Sequence, residues 1–382
     1  MTMNFLVIGD AVGRRVRSFV DCLKDLNLHE YQVITWQALL SGKCDLRQML
    51  KQNTILRLEP PEKDMELYRE ILKRGKVDGG LTLREIETID FSRYPVIAPQ
   101  QWYDGWKRLL GCIEIILAEH AQKQILCMQH LQEMLQMMDK QQTYDCLAVQ
   151  GSAYRFSLPP KIETPASYQA LQECNGENVL RCFIKLRYGS GGTGILAYRN
   201  HSKLGQEDLW TSLNVETHQG KKLFYSSQKV NYVTDKTKIA SLIDWVLQNG
   251  AHIEKWIPKA SFRGKGFDTR VLVIDQSAQY LLTRLSNSPI TNLHLGNKRL
   301  PAADFLSKEQ MAAIANAAVD VMKVFPHSLY AGIDIVCSPG YKPYVIDVNP
   351  FGDLFHHLLG TPETVYSREI MKAIEIMKGN RP

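Results

Sequence analysis

Gly332-Ile333-Asp334-Ile335-Val336 and Val345-Ile346-Asp347-Val348-Asn349-Pro350 decide how this chain is read. In both stretches β-branched residues alternate with acids at period two, which predicts two short β-strands. Between them, Ser338-Pro339-Gly340-Tyr341-Lys342-Pro343 is rich in turn formers, so a hairpin is the natural connection. Alternation places Asp347 and Asn349 on one face, and Ile346 and Val348 on the other. Pairing around the turn brings Asp334 beside Asp347 on that same face, with Cβ atoms roughly 5 Å apart. Like charges so placed are destabilising unless something positive sits between them. An oxygen-only donor set without Cys or His suits Mg²⁺, which shares its shell with waters and substrate phosphates. The plainer alternative, on this segment alone, is a pair of edge strands carrying solvated acids.

Composition bounds the rest. At 382 residues the chain is long enough for two or three domains or lobes. A hydrophobic content of 45% and a charged content of 23% are those of a globular protein, which excludes broad disorder. A net charge of +6 permits anionic small molecules but argues against nucleic acid, which asks for concentrated basic patches. The densest basic run, Arg14-Arg15-x-Arg17, reads as a solvated helix start. The eight cysteines stand singly with no C-x-x-C spacing, so neither a zinc site nor a disulfide framework is indicated. Cys112, Cys182 and Cys337 lie in apolar runs and read as reduced, buried thiols. No signal-peptide layout and no run of about 18 apolar residues is present, so no membrane partner and a cytoplasmic location are expected.

Along the chain, Phe5–Ile8 and Tyr31–Trp36 read as strands flanking a helix that ends near Leu26, a βαβ start. The intervening turn, Gly9-Asp10-Ala11-Val12-Gly13-Arg14, fails the G-x-G-x-x-G dinucleotide pattern. A charged helix follows Glu59-Pro60-Pro61-Glu62, and a break at Ser92–Pro99 places a domain boundary near residue 105. Trp106–Lys140 reads as helical, with Ile125, Met128, Leu131, Leu135 and Met138 at three- and four-residue steps facing a core. Strands are expected at Val179–Lys185, Thr269–Ile274 and Gln279–Leu285, and helices near 237–249, 307–324 and 364–378.

Ile184-Lys185-Leu186-Arg187-Tyr188-Gly189-Ser190-Gly191-Gly192-Thr193-Gly194 is the second informative stretch. Glycines let backbone amides approach a ligand, and successive amides can cradle phosphate oxygens. The stretch lacks G-K-[ST] and is no Walker loop. A flexible loop without a ligand is the alternative. Asp139-Lys140, Glu254-Lys255-Trp256-Ile257 and Asp268-Thr269-Arg270 with Arg284 are each unremarkable alone. An Arg beside an Asp on a strand is most often a surface ion pair of little worth.

Taken in order, these pieces resemble the ATP-grasp superfamily over about residues 106–382, closest in style to glutathione synthetase and the ribosomal-protein glutamate ligases. The resemblance implies an α/β (α+β) fold: a Rossmann-like pre-ATP-grasp domain, 1–105, and a two-lobed ATP-grasp module, 106–382. The lid lobe would span about 141–253 and the metal-binding lobe about 254–382. It implies that Lys140 and Lys185 bind ATP phosphates and that Gly189, Ser190, Gly191, Gly192, Thr193 and Gly194 close over them. Glu254, Lys255, Trp256 and Ile257 would be the hinge that receives adenine, largely through backbone groups. Arg270, Arg284 and Asn292 would face the transferred phosphate and the acceptor. Asp334, Asp347 and Asn349 would hold Mg²⁺, or Mn²⁺, against the phosphates.

Three departures qualify the resemblance. Asp347-x-Asn349 stands where many ligases of the superfamily carry Glu-x-Asn, and Asp-x-Asn also occurs in inositol-phosphate kinases. Lys259-Ala260-Ser261 follows the hinge where an acid often contacts the ribose, so no ribose ligand is assigned. Phe351–His357, with His356 and His357, follows the metal strand where acceptor-side loops sit. The expected activity is an ADP-forming carboxylate–amine ligase acting on a small-molecule or peptide carboxylate and an amine through an acyl phosphate. Asn292-Leu293-His294-Leu295-Gly296, which resembles the acceptor-side loop of the glutamate ligases, favours it. A small-molecule kinase and a catalytically silent nucleotide-binding protein are the alternatives. The acceptor and the oligomeric state are not legible.

Overall fold

A computed structural model describes residues 2–61, 64–91, 95–175, 179–189, 191–218, 220–291, 298–353 and 362–379. The first sheet is parallel, in the spatial order Tyr31–Ile34, Asn4–Ile8, Thr54–Leu58, Leu126–Cys127. Both of its faces are covered, as parallel sheets require. Phe5, Val7 and Ile55 pack with Val16 and Phe19 of helix Arg14–Asp25 and with Tyr366 and Ile370 of helix Pro362–Met377. Leu6, Ile8, Leu56 and Leu58 pack on the other side with Trp36, Trp106, Leu109 and Leu110. The C-terminal helix thus belongs to the core of the N-terminal sheet.

The strand Thr54–Leu58 was not anticipated from the sequence; it is buried throughout and carries Arg57 in its middle. The continuous helical pattern over 106–140 also needs correction. A helix spans Pro99–Glu119, Gln124 turns through a left-handed φ of 54°, and Leu126–Cys127 is the fourth strand of the sheet. His130 then caps a new helix, Leu131–Met138. Met128, Leu131 and Leu135 are buried as expected, but in two different clusters, so their helical spacing arose from a strand followed by a helix. Residue 105 lies inside helix Pro99–Glu119, and the last strand of this sheet ends at Cys127.

The second sheet is antiparallel, in the order Lys161–Ile162, Ala251–Lys255, Val179–Leu186, Ile195–His201, Gln206–His218, Lys221–Val233. Cys182, Ile184, Leu186, Leu196 and Leu209 pack beneath Ile239, Leu242, Ile243 and Val246 of helix Lys236–Gln248. Alternation leaves Phe183, Lys185 and Ile195 on the opposite face.

The third sheet runs Lys298–Pro301, Ser277–Ser286, Lys265–Ile274, Tyr330–Cys337, Pro343–Asn349, with Ser261–Phe262 added beside Lys265–Ile274. Its central hairpin turns on Asp275-Gln276, both at positive φ (46° and 58°), the conformation that a two-residue turn needs to match strand twist. Helix Lys308–Val324, opened by a Ser307/Gln310 capping box, covers one face through Ile314, Ala317, Ala318 and Val321. Cys182 and Cys337 are buried, whereas Cys112 is exposed on helix Pro99–Glu119, contrary to the sequence reading. Among the described residues no helix is long and apolar enough to cross a membrane.

Candidate active site

Lobes and sheets meet around a cleft of about 770 Å³. Its floor is the acidic hairpin. Asp334 pairs directly with Asp347 and Gly332 with Asn349, in the register that the sequence implied. One detail differs. A bulge follows Asp334, so Val345 and Val348 face the core while Ile346 joins Asp347 at the cleft wall. Strict alternation had put Ile346 on the far side; an extra residue in one strand shifts side chains across the sheet.

Each of the two acids has cationic partners of its own. Arg270 Nε and Nη2 donate to the two oxygens of Asp334 at 2.5 and 3.0 Å, and Arg284 Nη2 lies 3.0 Å from Oδ1. Burial alone would raise the Asp334 carboxyl, but Arg270 and Arg284 outweigh it and hold it below the ordinary carboxylate range. Arg284 also grips Asp268 through bonds of 2.6 and 2.7 Å, and Thr291 Oγ1 donates to Asp268 at 2.5 Å. Arg284 and Asp268 are 3% and 2% exposed, so the pair is a buried structural element and not the surface ion pair that strand neighbours usually make.

Two lysines enter from the roof. Lys185, buried, contacts Glu254 Oε1 at 2.5 Å and donates to the Ile346 carbonyl at 3.0 Å. Burial would raise the Glu254 carboxyl; Lys185 and His252, the latter at 3.3 Å, bring it below its usual value. Lys140 donates to the Gly189 carbonyl at 2.9 Å and to Asp347 Oδ1 at 3.2 Å. Its position is set by Asp139, which caps helix Lys140–Ala148 through the amides of Gln141 and Gln142 and clamps Arg187 at 2.6 and 2.7 Å. Tyr188 stacks on Tyr103 with centroids 4.3 Å apart, anchoring the start of the glycine loop to the N-terminal domain.

Gly189, Gly191, Gly192 and Thr193 line the cleft, and Gly194 closes the loop behind them by accepting from the Leu186 amide at 3.0 Å. Gly191, Gly192 and Gly194 all sit at positive φ, where glycine alone is unstrained. Glu254, Lys255 and Ile257 line the cleft at the hinge. Trp256 does not: its ring packs on Phe183 and Trp210, at 5.3 and 6.0 Å. The amides of Lys255 and Trp256 are already committed to the carbonyls of Pro160 and Arg181. Ser190, Asn292, the segment 293–296, His356 and His357 lie outside the described residues.

Sequence reasoning missed several cleft residues. Lys259 donates to Thr291 Oγ1 at 2.7 Å. Burial, with Arg284 and Lys185 nearby, presses its ammonium down to about 8 despite Asp268 and Asp334. Lys259 stands where the resemblance leaves no ribose ligand, and nothing in the local sequence marks its burial. Arg14 and Arg15, which read as a solvated helix start, also line the cleft, as do Arg299 and Asp353. The available signal for Arg14 and Arg15 was their place just beyond the carboxyl end of the first parallel strand, where α/β sheets bind ligands.

Residues 132–352, more than half of the chain, match the family model described as YheC/D-like ATP-grasp. The chain belongs to this family. Its ATP-grasp fold agrees with solved structures at low identity. D-alanine–D-alanine ligase from Bacillus anthracis complexed with ATP is 14% identical, over 99% of this chain and 100% of that one, with a TM-score of 0.51. D-cycloserine synthetase DcsG is 12% identical over 99% of both chains, with a TM-score of 0.54. The ATP-grasp ligase PsnB, complexed with minimal precursor, Mg and ADP, is 13% identical over 97% of this chain and 98% of that one, also at 0.54. No curated protein matches the sequence.

The donor set of this ATP-grasp floor fits a hard cation. No group of three His, Cys, Asp or Glu side chains is placed to hold a metal among the described residues. The oxygens present are those of Asp334, both held by Arg270 with Arg284 on one of them, of Asp347, one of them held by Lys140, and of the Asn349 amide. Asn349 lines the cleft, and its Nδ2 donates to the Gly332 carbonyl at 3.3 Å, which leaves the amide oxygen as its acceptor atom. Oxygen-only donors beside a phosphate site are what Mg²⁺ takes.

Proposed function

We propose that this ATP-grasp protein is an ATP-dependent ligase that joins a carboxylate to an amine with release of ADP and phosphate. The observation that carries the reading is one cleft in which Lys140, Lys185 and a glycine loop face Arg270, Arg284, Asp334, Asp347 and Asn349. Phosphoryl transfer makes little use of covalent chemistry by the protein and depends on positioning and on cationic clamps for the phosphate oxygens. Lys140 and Lys185 bind the ATP phosphates, the glycine loop covers them, and Phe183, Ile257 and Ile346 give the nucleotide an apolar seat. Asp334, Asp347 and Asn349 would hold Mg²⁺, which would neutralise charge on the phosphates.

In the first step an oxygen of the substrate carboxylate takes the γ-phosphoryl group and ADP leaves. Arg270 and Arg284 face the resulting acyl phosphate and the charge on its oxygens. In the second step the amine attacks the acyl carbon, the C–O bond to phosphate breaks, and the amine gives up a proton as the amide forms. No side chain serves as a covalent nucleophile.

Incubating the protein with ATP, Mg²⁺ and a mixture of amino acids and peptides tests the reading. ADP together with a condensed product supports it. A product that keeps a stable phosphate would sink it in favour of a kinase, and nucleotide binding without ADP release across a broad panel would favour a silent binding protein.

A further inference from the structure

Phosphoryl transfer from ATP does not use all the cations of the cleft. Lys140, Lys185, Arg270 and Arg284 each have a carboxylate partner in it. Arg14 and Arg15 are additional, contributed by the first turn of helix Arg14–Asp25, where the cleft meets Gly352 and Asp353. Arg15 is rigidly held. Its Nε donates to Glu59 Oε2 at 2.6 Å and its Nη2 to the Phe351 carbonyl. The other Glu59 oxygen receives Arg57 Nε at 2.6 Å, and Arg57 Nη1 donates to Glu369 at 2.7 Å. Phe19, Tyr366 and Tyr330 enclose the Arg57 guanidinium, with ring centroids at 4.4, 4.6 and 5.1 Å.

Arg57, Glu59 and Glu369 are at most 2% exposed, and apolar residues could fill their space without the desolvation cost of buried ions. What this chain of charges does is fix the Arg15 guanidinium at the cleft wall, where its Nη1 donates to no acceptor among the described residues. Arg14 is exposed beside it and has no acidic partner among the described residues. The nearby acids are engaged elsewhere: Asp10 accepts from the Val12 amide at 3.0 Å, and Asp353 lies 3.7 Å from Arg270. Phe351 follows Asn349 by two residues in a turn that the Gly352 amide closes on the Asn349 carbonyl at 3.2 Å, so this end of the cleft lies within one small-molecule length of Asn349.

We propose that one substrate of the reaction carries a second anionic group, a carboxylate or a phosphate, and that Arg14 and Arg15 bind it. The inference rests on the ligase reading above, and its test separates the two. The full-length protein, loaded with Mg²⁺ and a non-hydrolysable ATP analogue, is titrated calorimetrically with propionate, succinate and 3-phosphonopropionate. Succinate or 3-phosphonopropionate binds at least about tenfold tighter than propionate, the size expected for one charge-assisted contact. The better of the two identifies the group as carboxylate or phosphate. Arg14→Ala and Arg15→Gln bring the dianions down to the propionate level, while affinity for the ATP analogue stays within about twofold. Arg15→Gln disturbs a buried network, but Arg14 is exposed, so Arg14→Ala carries the test even if the other variant misfolds.

Equal binding of the three probes by the unsubstituted protein overturns the proposal, and so does a dianion preference that survives Arg14→Ala. Loss of ATP-analogue affinity in folded Arg14→Ala also overturns it, by assigning the arginine to the nucleotide. Failure of the ligase reading shows separately, as absence of a condensed product from any acid–amine pair whatever these affinities are.

Discussion

Asp268→Ala is expected to destabilise the third sheet by about 3 kcal/mol. Asp268 is 2% exposed and holds Arg284 through bonds of 2.6 and 2.7 Å. Without it, a guanidinium only 3% exposed keeps a single anion among the described residues, Asp334 at 3.0 Å. Breaking a buried pair costs about 3–5 kcal/mol when the remaining charge is stranded, and the Asp334 contact puts this case at the low end. About 3 kcal/mol is roughly a hundredfold in an equilibrium constant. The sign is tested by the double variant Asp268→Ala/Arg284→Met, which removes both charges. Replacing a buried ion pair by apolar groups is close to neutral, so the double variant should regain about 2 kcal/mol of what the single one loses. Native-state hydrogen exchange of the amides in Lys265–Ile274 and Ser277–Ser286 reads this locally, without requiring the whole chain to unfold in one step. A double variant as unstable as Asp268→Ala would refute the reasoning.

Four further outcomes follow from the same geometry. Lys185→Ala weakens ATP binding about tenfold or more in a nucleotide titration, since it removes a cation and leaves buried Glu254 with His252 alone; Asp347→Ala chiefly removes Mg²⁺-dependent turnover, and unchanged activity there refutes the metal assignment. Gly194→Ala forces a Cβ to 2.3 Å from Leu186 Cδ1 at a φ of +66°, so the loop is displaced at a cost of about 1–2 kcal/mol or more, read as weaker ATP binding and faster proteolysis near 190. Lys259, held down to about 8 mainly by burial, loses its charge as pH rises through that value, well below the roughly 10.4 of exposed lysines. Deprotonation removes a positive charge from an anion site, so kcat/KM for ATP falls near pH 8, and Lys259→Arg shifts the fall above about pH 9; an unchanged profile in Lys259→Arg removes this lysine from the account.

Residues with strong local constraints were legible in the sequence. The register of Asp334 with Asp347 follows from alternation and one turn, and the glycine run announces a loop that only glycine can form. What escaped depends on contacts across long separations. Thr54–Leu58 is buried on both faces and carries Arg57, so it shows no alternation. Leu126–Cys127 is too short to break a helical period by itself. The bulge at Ile346 is invisible to a period-two argument, because the sequence carries no mark of where the ladder slips. Asp268 with Arg284 looks like an ordinary surface pair until a third strand brings Asp334 against it. Arg15 is tied to Phe351, far along the chain, and only the assembled domains reveal why a surface-like arginine is held still.

The central claim, an acyl-phosphate ligase, is tested most directly by following one oxygen atom. The protein is incubated with ATP, Mg²⁺, amines and a panel of acids labelled with ¹⁸O in their carboxylates, and the released phosphate is weighed by mass spectrometry. The account predicts that one labelled carboxylate oxygen appears in inorganic phosphate for each amide formed, because the C–O bond breaks when the amine displaces phosphate. Unlabelled phosphate beside labelled amide, or phosphate retained on an organic product, would contradict it.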